Sequence, residues 1–397
     1  MALDATTEVR APAAARRPRT FEQRSILVLS QVWSWLFLIV LIVFFSFKGT
    51  GFLSVRNSQN ILVAITPIFL MGLGQTFVII AGGIDLSVGW VMGLASVVSA
   101  IVIRDTVKLL TIEAERQGLS RVFEQVFTAI GAASYPDVFA IILGFTLGIG
   151  VACFAGLING VIVAKLRVPP FIVTLGVSFV ARGVALLLSG GNIVGEQPRL
   201  LRDIGNESLF YLVRGEQKAF YILHKPELSG NALRLLDRIL PWPVVVWMVL
   251  AIILAFVLRS TQFGRHTYAI GGNKEAALRA GIAVDRHIIR LYILSGFTTG
   301  VAGVLNTARY SGGSSIAGDP LLMSSIAAVV IGGVSLFGGS GRVSGTVVGA
   351  LIIAVLQTGL VMMAVEPFWQ FVVVGIVVIL AVLMDQARDL IVGRAET

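Results

Sequence analysis

Residues Ile26–Phe47 read ILVLSQVWSWLFLIVLIVFFSF, a stretch without a single charged side chain. A helix needs about 20 mostly apolar residues to cross the hydrocarbon core of a bilayer, so this stretch predicts a membrane-spanning helix. No short apolar region with a cleavage site is evident here, so we interpret it as an uncleaved signal-anchor. Several arginines precede it, namely Arg10, Arg16, Arg17, Arg19 and Arg24.

The composition extends this interpretation to the whole chain of 397 residues. Hydrophobic residues make up 56%, charged residues 13%, and the mean hydropathy is +0.88. A soluble globule carries about 25% charged residues, so most of this surface faces lipid. The net charge of +9 does not indicate a nucleic-acid partner, because the basic residues flank apolar stretches as they do in the cytoplasmic loops of membrane proteins.

The pattern predicts an all-α polytopic bundle of about ten membrane-spanning helices, within a membrane domain at 26–387. One or two of the segments are expected to be broken or re-entrant. The predicted spans are about 26–47, 61–80, 87–103, 139–164, 171–189, 243–258, 288–308, 322–338, 343–363 and 366–385.

The sidedness follows from the basic tail at 1–25, which we place in the cytoplasm. Ten crossings then place the connector 259–287 and the tail 388–397 in the cytoplasm as well. Two polar insertions, 104–138 and 190–241, fall on the outer side.

Many glycines recur at positions i and i+4 in and beside the predicted spans. Small residues one turn apart let helices approach closely in lipid, so we expect a tight bundle. The pairs are Gly89/Gly93, Gly144/Gly148, Gly156/Gly160, Gly296/Gly300 and Gly341/Gly345/Gly349.

Two loops resemble each other. Val78–Gly89 reads VIIAGGIDLSVG and Ala328–Gly339 reads AVVIGGVSLFGG. Internal repeats are common in transporters, so we predict that spans two to five and seven to ten are related halves. Chance similarity between apolar segments is the alternative.

Asp85 is an acidic residue between two apolar spans, where a charge is costly unless it is paired, hydrated or hydrogen-bonded. It either caps the helix that begins near Ser87 or faces a translocation pathway.

Arg182 lies well inside the fifth span, where it snorkels, pairs within the bundle or lines a pore. Uncharged polar residues suit an uncharged polyhydroxy solute, but they equally form hydrogen bonds between helices. The further pathway candidates are Gln75, Ser87, Asn159, Thr174, Asn306 and Gln357.

The connector contains a helical signal from Asn273 to Gly281. Asn273 is a good N-cap, strong helix formers follow, and Gly281 is a natural stop. A short rigid helix of this kind suits docking into a soluble partner, whereas the alternative is an amphipathic helix lying on the lipid surface.

The sequence lacks the motifs of ATP hydrolysis and of metal binding. No phosphate-binding loop of the form GxxxxGK[ST] occurs, so the chain is expected to be no enzyme and to take energy from a partner or an ion gradient. The three histidines lack metal-ligand spacing and the single cysteine, Cys153, forms no internal disulfide. We therefore expect no metal or cofactor on this chain.

Three stretches resemble the permeases of bacterial ABC importers for monosaccharides of the ribose, xylose and galactose type. They are GGIDLSVG at 82–89, NGVIVAKLRVPPFIVTLG at 159–176 and YAIGGNKEAALRAGI at 268–282. The region 327–352 is similar too, and the tail at 366–385 is closest to the xylose type. The longer insertions depart from the compact family pattern and weaken the assignment of one sugar.

The resemblance implies a set of partners. These are a cytosolic ATPase that uses ATP and Mg, a periplasmic or lipid-anchored sugar-binding protein, a second copy of the permease and the lipid of the bacterial inner membrane. It also implies that the helix in the connector docks the ATPase. The residues that match this coupling helix are Gly272, Asn273, Glu275, Ala276, Ala277, Arg279 and Gly281.

Other readings stay open at this point. The same architecture serves other solutes, such as an inositol, a nucleoside or an amino acid. A secondary transporter driven by an ion gradient would place a titratable group at the bilayer midplane, for which Asp85 and Arg182 are the candidates. A membrane enzyme or a non-transporting scaffold is the remaining alternative.

Overall fold

The protein is described by a computed structural model at residues 21–49, 51–116, 136–214, 219–222, 226, 236–366, 368–377, 379–380 and 383. Helices dominate this part of the chain. In chain order the elements are α1 (Phe21–Lys48), α2 (Val55–Ile80), α3 (Val88–Arg116), α4 (Pro136–Lys165), α5 (Pro170–Ser189), α6 (Arg199–Asn206), β1 (Ser208–Val213), β2 (Ala219–Ile222), β3 (Leu236–Pro241), α7 (Trp242–Ser260), α8 (Gln262–Gly272), α9 (Lys274–Arg279), α10 (Val284–Tyr310), a 3-10 helix (Asp319–Leu321), α11 (Leu322–Ile331), α12 (Val343–Met362) and α13 (Phe368–Val377).

Seven of the described helices are long and apolar enough to cross a membrane, namely α2, α3, α4, α5, α7, α10 and α12. Three shorter apolar helices, Trp33–Lys48, Asp319–Ile331 and Phe368–Val377, coincide with the other predicted spans. The predicted polytopic helix bundle is therefore confirmed in outline. The terminal tails 1–20 and 388–397 lie outside the described residues.

The bounds of some predicted segments are wrong. The helix α3 continues to Arg116 and α4 begins at Pro136, so the third helix extends beyond 103 and the fourth begins before 139. Residues 117–135 of the predicted insertion 104–138 lie outside the described residues. The eighth span was predicted to run to 338, but α11 ends at Ile331. It ends there because Gly333 adopts φ +82° and Val334 donates its N–H to the carbonyl of Val329, which is the hydrogen-bond pattern of a glycine C-cap.

The prediction of an all-α chain is also wrong. The insertion 190–241 contains a three-stranded antiparallel sheet in the order β2-β1-β3, with Phe210 opposite both Ile222 and Ile239. The strand sequences SLFYLV and AFYI are rich in aromatic and large apolar residues, which suit a half-buried pleated surface.

Glycines bring the helices together as predicted. A Cβ atom at Gly156 would overlap the carbonyl oxygen of Tyr292, and one at Gly296 would overlap that of Ala152. The helices α4 and α10 therefore pack backbone against backbone. The same close packing joins α12 to α11 at Gly349.

The two similar loops share a backbone geometry but occupy different places in the fold. Each loop begins with a glycine C-cap, at Gly82 (φ +81°) and at Gly333 (φ +82°), but these two glycines are one position apart in the similar sequences, because Gly82 corresponds to Gly332. The loops follow the second and the eighth spans, so their similarity does not relate the second span to the seventh. The repeat of spans two to five and seven to ten stays a prediction.

A non-helical stretch at 311–318 runs beside α3. Gly313 packs against Ala100, and Gly318 packs against Gly89. Because Ala100 and Gly89 both belong to a membrane-crossing helix, this stretch lies at membrane depth. The predicted spans 288–308 and 322–338 leave this stretch between them, and the sequence predicted one or two broken or re-entrant segments without locating them.

Candidate functional site

The connector between α7 and α10 folds into α8 and α9, which are separated by Asn273. The backbone of Asn273 is extended (φ −159°, ψ 104°), and its Oδ1 accepts the N–H of Ala276 at 2.9 Å. After α9, Gly281 adopts φ +83°, a conformation that glycine adopts without steric cost. The N-cap and the glycine stop that the sequence predicted are both present.

The helix α9 presents most of its side chains away from the bundle. Of the predicted coupling residues only Ala277 is buried, and it packs α9 onto the bundle. The side chains of Glu275 and Arg279 are 87% and 84% exposed and lie 3.9 Å apart. Leu278 is exposed as well. The remaining exposed coupling residues are Gly272, Asn273, Ala276 and Gly281.

The end of α8 meets two glycine-containing loops. The N–H of Gly339 donates to the carbonyl of Ile80 at 2.8 Å. A Cβ at Gly271 would overlap that same carbonyl, and Gly338 lies against both Gly271 and Gly82. We call this contact of residues 80–82, 271–272 and 338–339 the glycine junction. It connects α8 to the loops that follow α2 and α11.

Asp85 lies in the loop before α3 and is 1% exposed. Its Oδ1 accepts the N–H of Ser87 at 3.0 Å and the hydroxyl of Ser87 at 2.6 Å. Its Oδ2 accepts the hydroxyl of Ser295 at 2.7 Å, and Asn159 donates to the Ser87 hydroxyl at 2.8 Å. Three sequence candidates are thus joined in one buried cluster, with Ser295 as the member that sequence reasoning missed.

Three other candidates are separate from this cluster. Gln75 donates to the hydroxyl of Ser325 at 3.2 Å and so connects α2 to α11. Thr174 donates to a carbonyl of its own helix. The exposed Arg182 holds its guanidinium carbon 4.7 Å from the ring centre of Trp90, which is a cation–π contact.

The last two candidates, Asn306 and Gln357, line a cavity of ≈ 730 Å³ between α2, α10 and the non-helical stretch. Asn60, Thr66 and Ser314 add polar groups to its wall. These three were missed because Asn60 precedes the predicted second span, Thr66 resembles an ordinary helix residue, and Ser314 lies in a segment taken for a loop.

The cavity lies towards the end of the bundle that is opposite α9. The helix α10 begins five residues after α9 ends, and its last residues, Arg309 and Tyr310, line the cavity. A helix of 27 residues is about 40 Å long at 1.5 Å per residue. The cavity is therefore separated from α9 by most of the membrane.

Comparison with known proteins identifies the family. Residues 57–382 match the family model "Branched-chain amino acid transport system / permease component". The chain is 34% identical to the ribose import permease RbsC of Bacillus subtilis, over 91% of this chain and 94% of that protein. It is 35% identical to the xylose transport system permease XylH of Haemophilus influenzae, over 88% and 94%, and 33% identical to the fructose import permease FrcC of Rhizobium meliloti, over 87% and 82%. This chain belongs to the permease family of bacterial ABC importers. No solved structure matches it.

The permease is thus a multi-pass membrane component of a transport system and not an enzyme. Among its described residues, no group of three or more His, Cys, Asp or Glu side chains is arranged to hold a metal ion.

The insertion 190–241 of the permease packs on the end of α10. A Cβ at Gly205 in α6 would overlap the backbone of Ala308. Asn206 accepts a hydrogen bond from Arg309 Nη1 at 2.7 Å and donates to the carbonyl of Arg309 at 3.0 Å. Arg238, from β3, donates to the carbonyl of Asn206. The described part of the insertion, 190–214, 219–222, 226 and 236–241, is therefore a folded cap beside the cavity.

The start of the insertion also pairs with the non-helical stretch. Val194 and Gly313 exchange two backbone hydrogen bonds of 2.8 and 2.9 Å, and Gln197 donates to the carbonyl of Ala100 at 3.0 Å. Lys108 of α3 forms an ion pair with the exposed Glu196, and the hydrogen bond from Lys108 lowers the pKa of that carboxyl.

Proposed function

We propose that this permease forms the translocation pathway of a bacterial sugar importer and that the ≈ 730 Å³ cavity is part of that pathway. The observation that carries the proposal is the non-helical stretch 311–318. Non-helical backbone at membrane depth is tolerated where it is buried in protein or lines a water-filled cavity, and this stretch supplies Gly312, Ser314 and Ala317 to the cavity wall.

The lining suits an uncharged polar solute, because Arg309, the charged residue among those that line the cavity, donates a hydrogen bond to Asn206. Asn60, Asn306 and Gln357 offer neutral donors and acceptors, and small-molecule sites typically occupy about 300–1,000 Å³ with a few such groups in an apolar wall. Relatives carry the names of ribose, fructose, allose and xylose permeases at 31–35% identity. This narrow spread favours no one sugar, so the substrate class is a monosaccharide without further assignment.

The sidedness is part of the proposal. Ten crossings, with the shorter apolar helices included, place both termini and the connector 259–287 in the cytoplasm of a bacterial inner membrane. The insertions 104–138 and 190–241 then face outwards. Two copies of the permease would form the complete pathway.

The helix α9 is assigned to the docking of a cytosolic ATPase, which would use ATP and Mg. Its exposed Glu275, Leu278 and Arg279 supply charge and apolar surface to such a contact. On the outer side, the folded cap of the insertion is where a sugar-binding protein would deliver the solute. Movement of α9 would reach α2 and α11 through the glycine junction.

Thiol labelling of the cavity tests the proposal. Cys153 is the single cysteine, so Cys153→Ala gives a background for Asn306→Cys. We expect a membrane-impermeant thiol reagent to label this position and to block sugar uptake. Leu187→Cys is the control, because Leu187 is 85% exposed on an apolar face that lipid covers. Two results would contradict the proposal. One is sugar uptake that does not change when the cysteine of Asn306→Cys is labelled. The other is sugar uptake that stops when ion gradients are collapsed while ATP is maintained.

A further inference from the structure

A second cavity, of ≈ 290 Å³, lies at the α9 end of the bundle. It is bounded by the end of α2, the turn between α4 and α5, the first residue of α9 and the first half of α10. All three stretches that carry the family resemblance contribute to it, through Gly82, Arg167 and Lys274. It is separate from the proposed sugar pathway, which lies towards the other end.

The lining combines an apolar wall with two cations. Val163, Val168 and Leu291 form part of the wall, while Arg167 and Lys274 bring the positive charge. Both basic side chains are exposed. Among the described residues that line the cavity there is no carboxylate, so the site is complementary to an anion that carries an apolar part.

Arg167 lines the cavity in a strained backbone conformation. Arg167 adopts φ +56°, a left-handed conformation that costs a residue other than glycine about 1–2 kcal/mol. The next residues, Val168 and Pro169, restrict the turn further, because a residue before proline is confined to extended geometry. Strain of this kind tends to persist at functional positions.

The cavity is also close to the lipid. The helix α5 starts at the cavity with Pro170, and the next two residues, Phe171 and Ile172, are 54% and 60% exposed. Large apolar side chains exposed on a membrane-crossing helix are covered by acyl chains. A lipid can therefore reach the cavity from the side, with its headgroup at the end of the spans.

We propose that this cavity binds an anionic phospholipid, with its phosphate between Arg167 and Lys274 and its acyl chains against the apolar wall. Basic pockets between helices at the cytoplasmic side of a membrane are known sites for anionic headgroups. Because Lys274 opens α9 and Arg167 belongs to the α4–α5 turn, the bound lipid would join the coupling helix to that turn. The binding itself does not depend on the proposed sugar pathway.

The full chain, purified in detergent and freed of lipid, tests the proposal by native mass spectrometry. The probes are dioleoylphosphatidylglycerol, dioleoylphosphatidylcholine and inorganic phosphate, each added alone. We expect tighter binding of phosphatidylglycerol than of phosphatidylcholine. The double variant Arg167→Gln/Lys274→Gln should lose about 30-fold in affinity for phosphatidylglycerol, given the attraction of each basic residue to an anionic headgroup.

The matched control is Arg265→Gln/Arg286→Gln, which removes two exposed charges from the same connector region outside the cavity. It should retain the preference for phosphatidylglycerol. Three results would each overturn the proposal. The first is an equal loss of phosphatidylglycerol affinity in both double variants, and the second is equal affinity for the two lipids. The third is that Arg167→Gln/Lys274→Gln abolishes the binding of inorganic phosphate while lipid binding persists. If the double variant does not fold, the single variant Lys274→Gln is measured in its place. It is expected to fold, because Lys274 is an exposed residue at the start of α9.

Discussion

The backbone N–H of Gly339 donates a 2.8 Å hydrogen bond to the carbonyl oxygen of Ile80, so the loop after α11 is tied to the end of α2. Gly271 approaches the same carbonyl from α8. No side chain separates the three backbones, so a displacement of α8 acts on both loops at once.

The first prediction concerns the glycine junction. Gly271→Ala places a Cβ on the carbonyl of Ile80, and overpacking of this kind costs about 1–3 kcal/mol. Transport should fall while the ATPase still binds, because Gly271 lies against Ile80 and not on the exposed face of α9. The control is Gly183→Ala in α5, outside the junction, which meets nothing within 4 Å and should transport as the wild type does. Equal uptake in the two variants would show that the junction transmits nothing.

The second prediction concerns the buried carboxylate. Asp85→Ala leaves the hydroxyls of Ser87 and Ser295 without their acceptor, and a buried polar group without a partner costs about 1–3 kcal/mol. The thermal unfolding midpoint and the membrane abundance should both decrease. Asp105→Ala is the control, since its ion pair with Arg104 is exposed and such pairs contribute about 0–1 kcal/mol. A wild-type midpoint in Asp85→Ala would contradict the structural role.

The third prediction concerns α9, which we propose docks the ATPase. Glu275→Arg or Arg279→Glu should abolish copurification of the ATPase while the permease inserts normally, because the pair on α9 is exposed and contributes about 0.3–0.5 kcal/mol to folding. The swapped variant Glu275→Arg/Arg279→Glu keeps opposite charges one turn apart but inverts the pattern that a partner meets. If the swap restores the complex, the charges act within α9 and not on the partner.

The fourth prediction concerns the folded cap of the insertion. Gly205→Ala would force α6 away from Ala308, at a cost of about 1–3 kcal/mol, so limited proteolysis should cut the insertion sooner. Gly195→Ala lies in the same insertion with nothing within 4 Å and should keep the wild-type cleavage rate. Identical digestion of both variants would mean that the contact at Gly205 does not hold the cap in place.

Features encoded by local spacing could be predicted from the sequence. The apolar runs, the Asn273 cap and the glycine pairs such as Gly156/Gly160 depend on residues within a few positions of one another, and the structure places them as expected. The strands of the insertion were missed because SLFYLV and AFYI are short and sit among polar residues.

Features that depend on distant contacts could not be predicted in this way. Asp85 and Ser295 are 210 positions apart, and only the packing of α10 beside the loop brings them together. Likewise, the sequence of the stretch 311–318 does not indicate that it lies at membrane depth, because its small residues are also typical of a surface loop. Its position follows from Gly313 and Gly318 packing on α3.

The pairing of Val194 with Gly313, called the latch below, joins the insertion to the non-helical stretch, and its contribution to stability can be bounded. It consists of two backbone hydrogen bonds, and each adds about 0.5–1.5 kcal/mol net, so the latch holds with about 1–3 kcal/mol. Ile193 and Gly312, next to the paired residues, line the cavity. A protein that docks on the folded cap with even micromolar affinity has about 8 kcal/mol of binding free energy, several times what breaking these two hydrogen bonds requires.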